Sequence, residues 1–154
     1  IEKDSGWILE NLTNKDHIRG ALKVYRKDCF EQIGQLKPSM GWDTVDELLA
    51  QYHCWEILTD ESLHVKHLKP TGQSYNKASK YLHGESMYRM RYGFWIALIS
   101  ALKLAYKKGS FRLFKDYISG YFRAKSSRAE FLVSKKEGEF IRDLRWKGIR
   151  NKFS

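Results

Sequence analysis

The second half of the chain constrains the fold most strongly, because its apolar residues from Tyr81 onward recur at helical spacing. Side chains three or four residues apart lie on one face of a helix, and that face can pack against a core. The clearest set is Phe111, Phe114, Ile118 and Tyr121. The pattern predicts helices over about 87–106, 111–124 and 135–152, with Gly109 ending the first of them.

The composition is that of a globular domain, and it excludes two common classes of small protein. The chain has 154 residues, of which 42% are hydrophobic, enough for one domain with its own core. Its two cysteines, Cys29 and Cys54, are too few for a disulfide scaffold or a zinc site, so we expect a reducing compartment. The chain begins at Ile1 with no signal-peptide pattern, and we expect the natural N-terminus to lie elsewhere.

Charge divides the chain into a mildly acidic half and a strongly basic half. Residues 1–74 carry 9 Lys and Arg against 12 Asp and Glu, a net charge of −3. Residues 75–154 carry 19 against 6, a net charge of +13. Such an excess favours a negatively charged partner, such as anionic lipid, a phosphate-bearing ligand or nucleic acid. Nucleic acid is the least favoured of these, because the sequence contains no recognised nucleic-acid-binding module.

An uncharged run, Tyr92–Leu102, lies within the basic half. It is well short of the ~20 apolar residues that a helix needs to cross a bilayer. Arginines precede the run and lysines follow it, which is typical of a helix that lies on an anionic membrane surface. A buried helix packed on the core would carry the same apolar run, and the sequence leaves both possibilities open.

The first half is predicted to contain short strands. β-branched and aromatic residues predict a strand over 17–27, and further strands are predicted over 55–58 and 63–68. Between the first two, Asp28 is expected to cap a short helix that Gly34 ends. This half is therefore expected to combine strands with short helices.

Three carboxylates and a tryptophan are concentrated in residues 41–47, where a loop is predicted to lead into a helix. This helix is predicted to run to about Cys54, with one apolar face formed by Val45, Leu48, Leu49 and Tyr52. Thr44 and Glu47 fit a capping box, in which each side chain binds the other residue's backbone N–H. Asp43 would lie where the positive end of the helix dipole favours a carboxylate, and such a group can act as a general base. The local pattern alone favours a simpler role, in which Asp43 or Thr44 caps the helix and Asp46 is a first-turn acid.

Two histidines and a lysine-rich loop follow. His64 or His67 could ligate a divalent metal through a neutral imidazole, although a half-exposed strand residue is the simpler explanation for either. No DxD motif accompanies them in this sequence. Residues 69–80 combine lysines, hydroxyl side chains and a glycine. Such a cationic loop can fold over a diphosphate, or it can remain an ordinary solvated loop.

From about residue 17 onward, the sequence resembles the C-terminal part of a bacterial family 2 glycosyltransferase of the GT-A fold. The likeness is carried by the stretches HIRGALKVYRKDCFEQIG, GWDTVDELLAQYHCW and LHVKHLKPTG. It implies that Asp43 is the catalytic base and that Asp46 is the alternative base. It also implies that Trp42, which stands where an acidic residue often precedes the base, contributes to substrate binding.

The same resemblance assigns the remaining site residues. Arg19 and Gly20 would line the acceptor side. In this family a histidine after the next strand completes a metal site, and His67 matches that position better than His64. The loop that follows closes over the nucleotide, which implies substrate contacts from Lys69 and Thr71. The implied cofactor is Mg²⁺ or Mn²⁺, held mainly by residues that this chain lacks.

The resemblance also implies an architecture. The fold would be α/β, with a few short strands followed by about three C-terminal helices. Residues 1–80 would be the acceptor-side, C-terminal part of the catalytic domain, and residues 81–154 would be a basic helical extension. Since the family's nucleotide-binding half would precede Ile1, we expect this chain to be inactive alone.

The implied activity is the transfer of a sugar from a nucleotide-diphosphate sugar to a hydroxyl of a glycan or lipid-linked acceptor. Such a reaction would serve cell-surface polysaccharide or glycan synthesis, in the cytoplasm or at the inner face of the membrane. The residues alone also permit a non-catalytic basic helical module that binds anionic membrane or nucleic acid. In that alternative, residues 41–47 are only the start of a helix.

Overall fold

The computed structural model describes residues 2–3, 6–7, 18, 23–60, 62–63 and 79–151, and these residues are mainly helical. Two strands, β1 (Glu2–Lys3) and β2 (Gly6–Trp7), form a short antiparallel pair. The helices of the described part are α1 (Lys27–Gln32), α2 (Trp42–Tyr52), α3 (Leu82–Arg89), α4 (Phe94–Lys107), α5 (Phe111–Ser126) and α6 (Lys135–Arg150). Nearly all of the strand predicted over 63–68 and of the loop predicted over 69–80 lies outside the described residues.

The α/β architecture expected for a glycosyltransferase fragment is wrong for the described part of the chain. Apart from β1 and β2, none of the described residues belongs to a strand. Residues 55–58 form no ladder. Within the strand predicted over 17–27, residues 23–26 also form no ladder, and Lys27 begins α1. The described part of the chain is therefore a helical assembly.

Residues 23–26 alternate in exposure as a strand would, although they form no ladder. Lys23 and Tyr25 are partly covered, whereas Val24 is 97% exposed. The side chains of Lys23 and Tyr25 bind α2, so side-chain contacts hold this segment in place without a neighbouring strand. A period of two indicates which side chains are covered, but it does not show whether a second backbone completes a ladder.

Two glycines delimit the connection between α1 and α2. Gly34 (φ 73°) follows the end of α1, as predicted, and Gly41 (φ 74°) is the N-cap residue of α2. Both adopt the left-handed conformation, which glycine reaches without a steric penalty. The predicted capping box at Thr44 is wrong. Helix α2 already begins at Trp42, and the carboxylate of Glu47 binds a different backbone N–H and a lysine.

The helix predicted over 87–106 is two helices, α3 and α4, because the chain turns between them. Arg91 and Gly93 have φ angles of 55° and 74°. The guanidinium of Arg91 lies 3.5 Å from the ring centroid of Phe131, and its Nε donates to the carbonyl oxygen of Val133 at 2.9 Å. Contacts with the segment after α5 therefore fix the turn. The periodicity of the apolar residues in the sequence does not indicate these contacts.

The other two predicted helices are confirmed as α5 and α6. Gly109 (φ 60°) lies in the turn before α5, as predicted. Helix α6 begins with a capping box, in which the N–H of Glu137 donates to Ser134 Oγ and the Glu137 carboxylate accepts from the Ser134 N–H. The cap predicted at Asp28 is wrong, because this residue lies in the first turn of α1, which has no side-chain cap.

The helices share a buried core that includes residues from both halves of the chain. Its members include Cys29, Ile33, Val45, Leu48, Leu49, Met87, Met90, Tyr92, Ile96, Ala97, Val133 and Ile141. The apolar face predicted for α2 accordingly points into the core. At the end of α2, the ring of Tyr52 meets that of Phe140 edge to face at 5.6 Å and joins α2 to α6.

The uncharged run of the sequence forms most of α4, which buries one face only. Ile96, Ala97 and Ala101 are buried, whereas Trp95 and Leu102 are more than half exposed. Among the helices of the described residues, none combines the length and the apolar content that a membrane span requires. Packing on the core, one of the two possibilities left open by the sequence, is confirmed for the buried face.

Helices α3 and α5 cross at two glycines that allow their backbones to meet. A Cβ atom on Gly84 would lie 1.8 Å from the carbonyl oxygen of Tyr117. A Cβ atom on Gly120 would lie 2.1 Å from the carbonyl oxygen of Tyr81. Since these neighbours are backbone atoms, a larger residue could be accepted only if the helices moved apart.

We expect Gly84→Ala and Gly120→Ala each to lower the free energy of unfolding by at least ~1–3 kcal/mol, because the new methyl group forces the crossing open. Gly148→Ala in α6 is the matched control, since a Cβ there meets nothing within 4 Å. Removing that helical glycine should raise stability by about 0.5–1 kcal/mol. Urea unfolding followed by circular dichroism measures all three. Unchanged stability in Gly84→Ala would contradict the close crossing.

Candidate functional site

The candidate site is built around the first turns of α2. Because Gly41 adopts a left-handed conformation, α2 starts at Trp42 and Asp43 lies in its first turn. The Asp43 side chain is partly buried. The Nζ of Lys23 donates to the Asp43 carbonyl oxygen and lies 5.9 Å from the ring centroid of Trp42. One lysine from the preceding segment therefore contacts both residues that open the helix.

The same lysine forms a buried ion pair with Asp46. Lys23 Nζ lies 2.7 Å from Asp46 Oδ1, and the two side chains are 4% and 2% exposed. The hydroxyl of Tyr25 donates to the other carboxylate oxygen of Asp46. The backbone N–H of Glu47 donates to Oδ1 at 2.6 Å. Three donors therefore bind this carboxylate and offset the cost of burying its charge.

Glu47 extends the ion pair to a second carboxylate and a second segment. Its Oε1 lies 3.0 Å from Lys23 Nζ and accepts the backbone N–H of Ile18 at 2.8 Å. We call Lys23, Tyr25, Asp46 and Glu47 the Lys23 cluster. The cluster joins Ile18 and residues 23–25 to α2, and it uses the carboxylate that the sequence had assigned to a capping box.

The charge of Asp46 affects the two nearest weak acids. Burial, reinforced by the hydrogen bond to Asp46, holds the pKa of Tyr25 well above its ordinary value of 10.0. Burial also raises the pKa of the Cys29 thiol, with a smaller contribution from the negative charge of Asp46. Both groups therefore stay protonated at neutral pH, so Tyr25 acts as a hydrogen-bond donor and Cys29 as an apolar core residue.

A cavity of about 410 Å³ lies beside the Lys23 cluster. Its described lining consists of residues before α1, residues of α1 and α2, and the segment after α2. These are Ile18, Lys23, Val24, Tyr25, Arg26, Cys29, Asp46, Glu47, Ala50, Trp55, Glu56, Ile57 and Leu58. Asp46 and Glu47 face this cavity, whereas Asp43 is not among its lining residues. The volume lies within the range of small-molecule sites in proteins.

The structure separates the predicted site residues into two groups. Trp42, Asp43 and Asp46 lie together in the first two turns of α2. The other predicted site residues, which lie outside the described residues, are Arg19, Gly20, His67, Lys69 and Thr71. Their positions relative to α2 remain predictions.

The described residues do not fit the metal site that the family resemblance implies. No group of three potential ligands converges within the part of the chain that the structure describes. The two neighbouring carboxylates, Asp46 and Glu47, are instead paired with Lys23. His67, the predicted ligand, lies outside the described residues.

Comparison with known proteins adds no family to these observations. No protein-family model matches the chain, and no curated protein or solved structure matches it. The resemblance to family 2 glycosyltransferases therefore rests on the sequence stretches that carry it, and it stays a prediction.

Two members of the Lys23 cluster were missed from the sequence. Lys23 and Tyr25 were assigned only to a strand, because the segment over 17–27 is rich in β-branched and aromatic residues. Lysine is rarely buried without a partner, so a lysine on the inward side of an alternating segment indicates a buried carboxylate elsewhere. That signal pointed to the existence of a partner but could not identify Asp46, which lies 23 residues away.

We expect Asp46→Ala to lower the free energy of unfolding by ~3–5 kcal/mol, because it removes one partner of a buried ion pair. Asp43→Ala, three positions earlier in the same helix, is the matched control and should cost less than ~1 kcal/mol. Urea unfolding of both variants measures the difference. Equal losses of stability would contradict the structural role assigned to Asp46.

Proposed function

We propose that this chain carries the catalytic base of a glycosyltransferase that moves a sugar from a nucleotide-diphosphate donor to an acceptor hydroxyl. The proposal combines the family resemblance with one structural observation. Of the two candidate bases, Asp46 is buried and accepts hydrogen bonds from Lys23, Tyr25 and a backbone N–H. Asp43 is partly exposed in the first turn of the same helix.

The different surroundings of the two carboxylates support different roles. A base must reach the proton that it removes, and a buried carboxylate that already accepts three hydrogen bonds has little capacity left. Asp43 meets this requirement better, because part of its surface faces solvent and the N-terminus of α2 favours negative charge. We therefore assign the base to Asp43 and a positioning role to Asp46.

In the proposed step, Asp43 accepts the proton of the acceptor hydroxyl as the acceptor oxygen attacks the anomeric carbon. The new glycosidic bond forms while the bond from the anomeric carbon to the donor's diphosphate breaks. The nucleoside diphosphate departs with the electron pair of that bond. A single displacement of this kind inverts the anomeric centre, as the family resemblance implies.

Lys23 supports this step indirectly. By bonding to the Asp43 carbonyl oxygen and to the Asp46 side chain, it fixes the first turn of α2 from outside the helix. A base held on a rigid element retains its orientation toward the acceptor, which is a large part of its catalytic value. Donor-binding groups and any Mg²⁺ or Mn²⁺ would come from residues other than those described. The proposed setting is the cytoplasm, at the inner face of the membrane.

The test uses the complete translation product that contains this chain, incubated with a panel of nucleotide-diphosphate sugars and with lipid-linked and glycan acceptors. Release of nucleoside diphosphate is the readout. Asp43→Asn should lower turnover about 10²–10⁴-fold, because the new amide cannot accept the proton of the acceptor hydroxyl. Donor binding, measured by calorimetry, should be retained. Asp28→Asn is the matched control, since Asp28 is an exposed carboxylate in the first turn of α1. Its turnover should equal that of the wild type.

Two results would overturn the proposal. Wild-type protein that releases no nucleoside diphosphate from any donor in the panel would remove the activity itself. Turnover of Asp43→Asn within a factor of about two of the wild type would instead show that Asp43 only stabilises the start of α2. In the first case the alternative, a non-catalytic basic helical module, would be the better description. In the second case the protein would still be an enzyme, and its base would be a residue other than Asp43.

A further inference from the structure

One face of α4 exposes four large apolar side chains in a continuous row. Trp95, Ile99, Leu102 and Tyr106 follow one another at spacings of four, three and four residues, which places them on one side of a helix. Trp95 is 65% exposed, Leu102 is 57% exposed and Tyr106 is 88% exposed. We call these four residues the α4 stripe. At 1.5 Å per residue, the stripe is ~16 Å long.

The α4 stripe is distinct from the face of α4 that packs on the core. The opposite side of α4 is already packed, since Ile96, Ala97, Ala101 and Ala105 are buried. Small alanines face the neighbouring helices, and the largest apolar side chains face outward. The helix therefore has two apolar faces, one that builds the core and one that remains exposed.

Aromatic residues of α5 extend the apolar surface beyond α4. The ring of Phe94, at the start of α4, lies 5.3 Å from that of Trp95 and 5.7 Å from that of Phe122. Phe122 is itself exposed, as is Phe111 at the start of α5. The surface therefore spans two packed helices, and its contiguous part at Trp95, Phe94 and Phe122 is aromatic.

The charged side chains on the same two helices are almost all cationic. Residues 94–126 contain seven basic residues, Lys103, Lys107, Lys108, Arg112, Lys115, Arg123 and Lys125, all of them exposed. They contain one acidic residue, Asp116, which is buried and lies 3.2 Å from Lys80. The exposed surface of α4 and α5 is therefore apolar and positive, with no exposed carboxylate of its own.

We infer that the outer face of α4 and α5 binds the surface of an anionic lipid bilayer. The α4 stripe would enter the region between headgroups and acyl chains, where tryptophan and tyrosine are favoured. The lysines and arginines beside it would contact anionic headgroups. With 14 residues, α4 lies along the surface and does not cross it.

Charge complementarity favours this occupant over two others. A second copy of the chain would place like-charged lysines and arginines against each other, which costs affinity. Nucleic acid would satisfy the cations but would leave most of the aliphatic and aromatic stripe in contact with water. An anionic lipid surface accommodates both the cationic side chains and the apolar α4 stripe. The inference goes beyond the proposed sugar transfer and uses no residue of the candidate site.

Flotation of the chain with phosphatidylcholine vesicles, with and without phosphatidylglycerol, tests this inference. The wild type should float with the anionic vesicles and remain with the soluble fraction when phosphatidylglycerol is absent. Leu102→Ser should weaken partitioning by about tenfold or more, since it removes a buried apolar side chain from the bound state. Leu63→Ser is the matched control, because Leu63 is also a largely exposed leucine but lies outside α4 and α5.

The cationic contribution is tested with a matched pair of double variants. Lys103→Gln with Lys107→Gln should weaken binding to anionic vesicles ~30-fold, the effect expected for two surface cations. Lys135→Gln with Lys136→Gln removes the same charge from exposed positions at the start of α6 and should leave binding near that of the wild type. Circular dichroism confirms that all variants remain helical.

The inference would be overturned by any of three results. If the two double variants lost equal affinity for anionic vesicles, the total charge of the chain, and not this face, would drive binding. Binding to a generic RNA or DNA that competes with vesicles and is insensitive to Leu102→Ser would identify a nucleic-acid surface. A dimer in solution that dissociates on Leu102→Ser, with no vesicle binding, would identify a second copy as the occupant. Because every readout is binding, these outcomes are independent of whether Asp43 is catalytic.

Discussion

The first part of this structure depends on the ion pairs that the buried ammonium group of Lys23 forms with Asp46 and Glu47. The Lys23 side chain is almost completely buried, and an unpaired charge there would cost several kcal/mol. Asp46 and Glu47 both pair with it, and Tyr25 and two backbone N–H groups donate further hydrogen bonds to these carboxylates. Because its members come from segments distant in sequence, the cluster positions Ile18 and residues 23–25 against α2 without the ladder that a sheet would supply.

The same cluster determines which carboxylate is available for chemistry. Asp43 and Asp46 lie one turn apart on α2, yet one is partly exposed and the other is enclosed. The difference lies in the neighbours of the two side chains, since Lys23 and Tyr25 both bind the Asp46 carboxylate and help to bury it. The proposed sugar transfer relies on this division, with Asp46 holding the helix and Asp43 facing the acceptor.

Much of the second half of the chain could be predicted from the sequence, because its helices follow the periodicity of apolar residues and a glycine marks where one of them ends. Helices α5 and α6 and the apolar face of α2 followed from these signals. The turn at Arg91 and the Lys23 cluster could not be predicted, because both depend on contacts with distant residues, Phe131 in one case and Asp46 in the other. The α/β expectation failed because the β-branched and aromatic residues over 17–27 and the resemblance to a GT-A fold were both taken as evidence of paired strands. The capping box at Ser134 had a readable signal that was overlooked.

The central claim is that Lys23 and Asp46 stabilise the fold as a pair, and a double-mutant cycle tests it most directly. Lys23→Met, Asp46→Leu and the double variant are unfolded in urea, and the coupling free energy is the departure from additivity. The pairing predicts a coupling of about 2 kcal/mol or more, with the double variant more stable than either single variant. Additive losses, within about 0.5 kcal/mol, would contradict the claim and would leave Asp46 as credible a catalytic base as Asp43.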